Sequence, residues 1–168
     1  MVLVYGEPGG GKSTLAYQIV AQCSPVTIAS LEESPGPPMA RKLTCAGMQR
    51  RRDTHVLVKP GLHDILAAAR AGHAILIDSI SVSSFQPSDL RGLLDAGAPL
   101  LVGVLHSCKN GDYRGPTSTI HECDIVLRVE KNGLWTSEKN RYGASGQTGG
   151  IRGISTAAPS VNSKEGTP

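Results

Sequence analysis

Aromatic side chains are scarce in this sequence: they make up 4% of 168 residues, with a single Trp and a single Phe. A chain of this length is expected to form one domain with a substantial core. That core has to be filled by Val, Ile, Leu and Ala, the side chains of a parallel sheet covered on both faces. Long apolar runs are missing too. None approaches the ~20 residues of a membrane-spanning helix. The opening Met-Val-Leu-Val-Tyr is too short for a secretory signal and lacks its basic flank, so no membrane role is expected. The four cysteines, Cys23, Cys45, Cys108 and Cys123, form no Cys-x-x-Cys pair and have no His cluster beside them. That spacing disfavours a structural zinc site and fits free thiols in a reducing cytoplasm. An excess of one charge is also nearly absent. The net value of +3 permits a nucleic-acid partner without requiring one.

What is present is an alternation of two periodicities. Short β-branched or apolar runs at residues 2–5, 26–31, 55–58, 74–78 and 100–105 read as strands. Between them, residues 12–22, 39–52, 62–71 and 87–96 carry helical spacing, with Pro38 suited to a first helical turn and Pro87 or Ser88 to a helix start. Residues 125–129 and 134–139 flank Lys131-Asn132-Gly133, and Asn-Gly between two such runs is a hairpin signal. The fold class predicted is therefore α/β, a mostly parallel central sheet flanked by helices, with a C-terminal antiparallel hairpin. The core is assigned to residues 1–150. Residues 151–168 read as a flexible tail, because Gly, Ser, Thr and Pro replace apolar residues there.

The chemistry begins six residues into the chain. Gly6-Glu7-Pro8-Gly9-Gly10-Gly11-Lys12-Ser13-Thr14 matches the Gly-x4-Gly-Lys-Ser/Thr phosphate loop and lies between a predicted strand and a predicted helix. Glycines allow backbone N–H groups to turn inward around phosphate oxygens. Lys12 puts a charge near the β and γ phosphates, Ser13 offers a hydroxyl to Mg²⁺, and the helix start adds its dipole. Asp78 ends a strand of otherwise apolar residues, so its carboxylate emerges where open α/β sheets bind ligands and can join Ser13 in holding Mg²⁺.

Three further stretches bear on function. In Ser30-Leu31-Glu32-Glu33-Ser34, an acid at a strand end can orient or deprotonate water. Glu32 is the better candidate because it is nearer the strand, and neighbours in an extended segment point opposite ways. The bland alternative is a pair of helix-start acids. His106 ends the strand after the Asp78 strand, where a polar side chain can sense the γ phosphate. Lys139 and Arg141 stand on alternate residues of a predicted strand, on one face. They fit either an edge strand guarded by charge or a pair acting on a neighbouring subunit's nucleotide. The run Arg50-Arg51-Arg52 fits a solvated helix, a DNA-facing patch or the lid of a small-molecule kinase.

Taken together, these motifs resemble the RecA-like ATPase core, and most closely its RadA/Sms branch. Residues 6–15 resemble the branch's Gly-Glu-Pro-Gly-x-Gly-Lys-Ser-Thr-Leu loop. Residues 30–34 resemble its Ser-Gly-Glu-Glu-Ser segment with Leu31 replacing Gly, and Lys139-Asn140-Arg141-Tyr142-Gly143 its Lys-Asn-Arg-Phe-Gly motif. The family has a zinc finger and a Lon-like domain that have no counterpart here, so the resemblance is to a minimal core such as some phages encode. It implies ATP and Mg²⁺ as cofactors, assembly into a ring or filament with Lys139 and Arg141 reaching across subunits, and action on single-stranded DNA in recombination or repair. A single-strand-binding protein or a recombinase is implied as a further partner, in the cytoplasm of a bacterium or a phage-infected cell. DNA contacts would come from Lys109, Asn110, Tyr113 and Arg114 in the loop after His106, with residues 144–150 as a second channel loop. Ring ATPases of the DnaB or KaiC type, the latter with no DNA role, are the alternative.

Overall fold

The computed structural model describes residues 1–107 and 117–154, with the side chains of Thr117 and Ser118 outside the description. Eight strands form one sheet: β1 (Val2–Gly6), β2 (Val26–Ser30), β3 (Thr54–Val58), β4 (Ala74–Asp78), β5 (Leu101–His106), β6 (Ile125–Val129), β7 (Leu134–Asn140) and β8 (Thr148–Gly150). Their spatial order is β3-β2-β4-β5-β1-β6-β7-β8. β1 to β6 run parallel, and β7 and β8 complete the edge antiparallel. The helices are α1 (Lys12–Val20), α2 (Pro37–Cys45), α3 (Leu62–Arg70), α4 (Pro87–Asp95) and α5 (Thr117–Glu122), with a 3-10 turn at Ile80–Val82. This is the α/β architecture expected, hairpin included.

The two faces of the sheet explain why its central strands are apolar throughout. Successive side chains point to opposite faces. Leu3, Tyr5, Ile75, Ile77, Leu101 and Leu105 pack towards α3 and α4. Val2, Val4, Ala74, Leu76, Val102 and Val104 pack towards α1. With both sides covered, neither set has a solvent face to keep polar. At Gly103 an added Cβ would stand 2.3 Å from Ile80 Cδ1. The missing side chain there lets the 3-10 turn lie against β5.

The structure corrects several sequence-based boundaries. The second helix, expected over 39–52, spans Pro37–Cys45. Gly47 adopts φ +71° beyond its end, a left-handed conformation that suits glycine and stops the helix. Arg51 is thereby freed from any helix. It donates to the Ala21 and Cys23 carbonyls at 2.7 and 2.6 Å and pairs with Asp53 at 2.7 Å. It satisfies carbonyls beyond the end of α1, at the far end from the phosphate loop, and so is not a kinase lid. The stretch 144–150, expected as a flexible loop, contains β8, where Gly149 lies against the Trp135 ring at a distance that a Cβ would reduce to 2.6 Å. Ile151 is buried and joins the α1-side core, with Ile154 packed against the same cluster. Residues 155–168 of the expected tail lie outside the described residues. Among the described residues no helix is long and apolar enough to cross a membrane.

Candidate nucleotide site

β1 ends at Gly6, and the loop to α1 wraps over the carboxyl end of the sheet. The tightness of that turn has a steric cause. At Gly6 (φ +146°) a Cβ would stand 2.0 Å from the Val129 carbonyl oxygen, and at Gly10 2.6 Å from that of Glu130. At Gly11 (φ +96°) it would meet Ile154 Cδ1 at 2.1 Å. Backbone thus excludes any side chain at Gly6 and Gly10, whereas at Gly11 the near atoms are the ends of isoleucine side chains and the positive φ is what favours glycine. Lys12 is buried, and its Nζ donates to the Glu7 carbonyl at 2.8 Å. Burial lowers its pKa, against the opposing charges of Asp78, Glu32 and Glu7.

Asp78 ends β4 as the alternation predicts and is buried. Its Oδ1 accepts a hydrogen bond from Ser13 Oγ at 3.0 Å. Residues 65 positions apart, named from separate motifs, therefore converge as one hydroxyl and one carboxylate. Hard oxygen donors of this kind suit Mg²⁺, which keeps water and phosphate ligands and needs no all-protein cage. No group of three or more His, Cys, Asp or Glu side chains suited to a metal occurs among the described residues. Burial raises the Asp78 pKa, opposed by Lys42 and by the Ser13 hydrogen bond.

Glu32 and Glu33 diverge as expected, although the chain bends at Leu31 and Glu32 instead of continuing extended beyond β2. Glu32 Oε1 accepts hydrogen bonds from Ser79 Oγ and from His106 Nε2, the latter at 2.7 Å. The two sequence-predicted residues from the ends of β2 and β5 thus meet across β4. The His106 backbone N–H donates to Ser81 Oγ at 2.8 Å, so the 3-10 turn after Asp78 anchors the histidine from behind. Glu33 faces away, towards α2. Its Oε2 lies 2.9 Å from Lys42 Nζ without the geometry of a hydrogen bond, and the Lys42 ammonium also reaches Asp78 Oδ2 at 3.4 Å. Sequence reasoning missed Lys42, Ser79 and Ser81. The signal for Lys42 was its i+3 spacing from Met39, which is buried: both share the inward face of α2.

Beside the phosphate loop opens a cleft of about 650 Å³, lined by Gly9, Thr14, Pro38, Arg41, Cys45 and Ile154 among others. Its apolar walls with a few polar groups are the usual make-up of a small-molecule site.

Lys139 and Arg141 are brought together but lie elsewhere. Lys139 Nζ donates to the Ile120 and His121 carbonyls at 2.9 and 3.0 Å. Arg141 donates to the His121 carbonyl at 3.0 Å and to Asp124 Oδ1 at 3.1 Å. The expected common face is kept, although Arg141 falls one residue past the end of β7. Because β7 is antiparallel, Asn140 pairs with Ile125, which pairs in turn with Val2. The two cations therefore stand at the amino end of the parallel strands, roughly 10–16 Å from the level of Gly6 at ~3.3 Å per residue. Lys109, Asn110, Tyr113 and Arg114 lie outside the described residues.

The mostly parallel sheet, the glycine loop after β1 and the acids at the strand ends form an α/β architecture consistent with a RecA-like core. Over 88% of its length the chain is similar to two proteins named DNA repair protein RadA. The one from Treponema pallidum (strain Nichols) is 27% identical over 172 aligned positions. The one from Rickettsia bellii (strain RML369-C) is 28% identical over 176. The chain spans 37% and 39% of the lengths of these relatives. No family model matches the sequence.

Proposed function

We propose that this chain binds ATP with Mg²⁺ and hydrolyses it, as the motor core of a protein acting on single-stranded DNA in recombination or repair. The observation that carries the hydrolytic part is the pairing at the strand ends: Ser13 with Asp78, and Glu32 with His106, all beside one glycine loop. The repair part rests on the similarity to the two RadA proteins.

In this reading the backbone N–H groups of residues 9–14 cradle the phosphates, and Lys12 exchanges the Glu7 carbonyl for phosphate oxygens. Ser13 and Asp78 would hold Mg²⁺, which when bound would supply positive charge against the phosphate oxygens. Glu32 accepts a hydrogen bond from the attacking water and aims it at the γ phosphate. His106, bonded to the same carboxylate oxygen, reports on whether that water and phosphate are in place. The cleft beside Thr14 takes the nucleoside.

Lys139 and Arg141 sit too far from this chain's own loop to act on it. Their place at the opposite end of the strands supports action on the nucleotide of a second copy stacked head to tail. Tyr142, 79% exposed, lies beside them, as an interface side chain would. In such an assembly the pair would leave the α5 carbonyls for the partner's phosphates.

Exchange of Glu32 for Gln keeps size and hydrogen-bonding reach but removes the charge that polarises water. Steady-state phosphate release is expected to fall by ~10²–10⁴-fold, while binding of a fluorescent ATP analogue stays within a factor of about three. Unchanged turnover would remove Glu32 from the chemistry and, with it, this reading of the site.

A further inference from the structure

Lys42 enters the site from α2, outside every motif of the nucleotide loop. Its side chain is 16% exposed, and its ammonium bridges Glu33 Oε2 at 2.9 Å and Asp78 Oδ2 at 3.4 Å. It also lies 5.7 Å from the centre of the Tyr17 ring. Ser13 occupies the other oxygen of Asp78. Both oxygens of that carboxylate are thus engaged, one by a hydroxyl suited to share a metal and the other by a cation that repels one. An ammonium and a divalent ion cannot both sit against a single buried carboxylate without strong mutual repulsion, because low dielectric screens them poorly.

We propose that Lys42 is a positioning residue that competes with the divalent cation for Asp78. Its ammonium holds the carboxylate between Glu33 and α2, and it must leave Oδ2 for Ser13 and Asp78 to take the metal. The metal alone offers the displaced ammonium no new partner. A nucleotide does, because its phosphates are anionic and the Lys42 stem already lines the cleft beside Thr14. Lys42 thereby makes metal binding conditional on nucleotide and couples both to the position of α2. This rests on the assignment of Ser13 and Asp78 to the metal made above.

The test is binding of Mn²⁺ alone to the full chain, read by electron paramagnetic resonance, with no nucleotide and no turnover. Lys42→Met keeps an unbranched apolar stem and removes the charge, and Lys42→Arg keeps the charge. Lys42→Met is expected to bind Mn²⁺ at least ten-fold more tightly than the wild type. Lys42→Arg should stay as weak as the wild type, and adding Asp78→Asn to Lys42→Met should abolish the gain. Equal affinity of Lys42→Met and wild type, including no binding by either, overturns the proposal. So does a gain that survives Asp78→Asn. If Lys42→Met is unfolded by circular dichroism, Lys42→Gln is measured by the same criteria. A second readout is the dependence of Mn²⁺ affinity on a non-hydrolysable ATP analogue: strong in the wild type and weakened in Lys42→Met. Failure of ATP hydrolysis with the Mn²⁺ pattern intact would count against the proposed function and leave this inference standing.

Discussion

At the scale of single residues, Glu32 shows how a strand-end acid is kept ready. Burial acts to raise its pKa. The hydrogen bonds from Ser79 and His106, with the charges of His106 and Lys42, act to lower it, and the lowering wins. A proton is therefore held less tightly in the folded chain than in the unfolded one. The carboxylate adds stability that is present above its ordinary value of 4.5 and is lost as the pH falls through the lower folded value. The side chain is about one-third exposed, so solvent screening keeps the contribution small. Melting temperatures of wild type and Glu32→Gln are expected to differ most near neutral pH and to converge towards pH 3. A gap that widens on acidification would contradict the assigned balance. Glu32, His106, Ser13 and Asp78 were all legible in the sequence for one reason. Each sits at or just beyond the end of a strand or in a fixed loop, and the sheet places such positions along one edge. Lys42 was hidden because its partners, Glu33 and Asp78, lie outside α2, and only the packing of α2 against α1 brings them together.

At the scale of elements, glycine placement decides how closely the segments approach. Gly10 has no unusual backbone angle, so alanine there would be tolerated by the chain itself. The obstruction is the Glu130 carbonyl, fixed by the β6–β7 turn, in which Gly133 N–H donates to that same carbonyl at 3.1 Å. Gly10→Ala must push the phosphate loop away from the turn. Affinity for a fluorescent ATP analogue is expected to fall about ten-fold or more with circular dichroism unchanged, since a misplaced cradle loses charge-assisted hydrogen bonds of ~1.5–3 kcal/mol each. Unaltered affinity would show that the loop has slack the structure does not suggest. The same sterics explain what sequence reading lost at this scale. A Gly-rich stretch such as 144–150 reads as a loop, yet Gly149 is there to admit the Trp135 ring, which is what a glycine inside a strand often marks. α2 was drawn too long because Ala, Arg and Leu have high helix propensity, and Gly47 alone breaks the run. α5, six residues long, falls below the length at which a helical period can be recognised.

At the scale of the whole molecule, the residues proposed for the chemistry are divided between the two ends of the sheet. Loop, acids and His106 lie at the carboxyl end of the parallel strands, while Lys139 and Arg141 lie at the amino end. A head-to-tail stack would bring the two halves into one site. Arg141→Ala is expected to lose at least ten-fold in hydrolysis, given that a cation supplied across an interface contributes far more in related chemistry. Lys12→Ala is expected to lose activity as well. Mixed, the two variants should recover part of the wild-type rate, because one interface in the mixture has an intact loop facing an intact Arg141. No recovery at any mixing ratio would place the pair in a purely structural role at the end of α5.

The central claim, an ATPase that works on DNA, is tested most directly by the steady-state rate of ATP hydrolysis measured against added single-stranded DNA. The account predicts that the rate rises several-fold with DNA, and that the DNA concentration needed increases steeply with salt, as phosphate contacts require. A rate that is unaffected by single-stranded DNA, with no salt-sensitive DNA binding, would contradict it and leave a nucleotide-driven assembly without a DNA role.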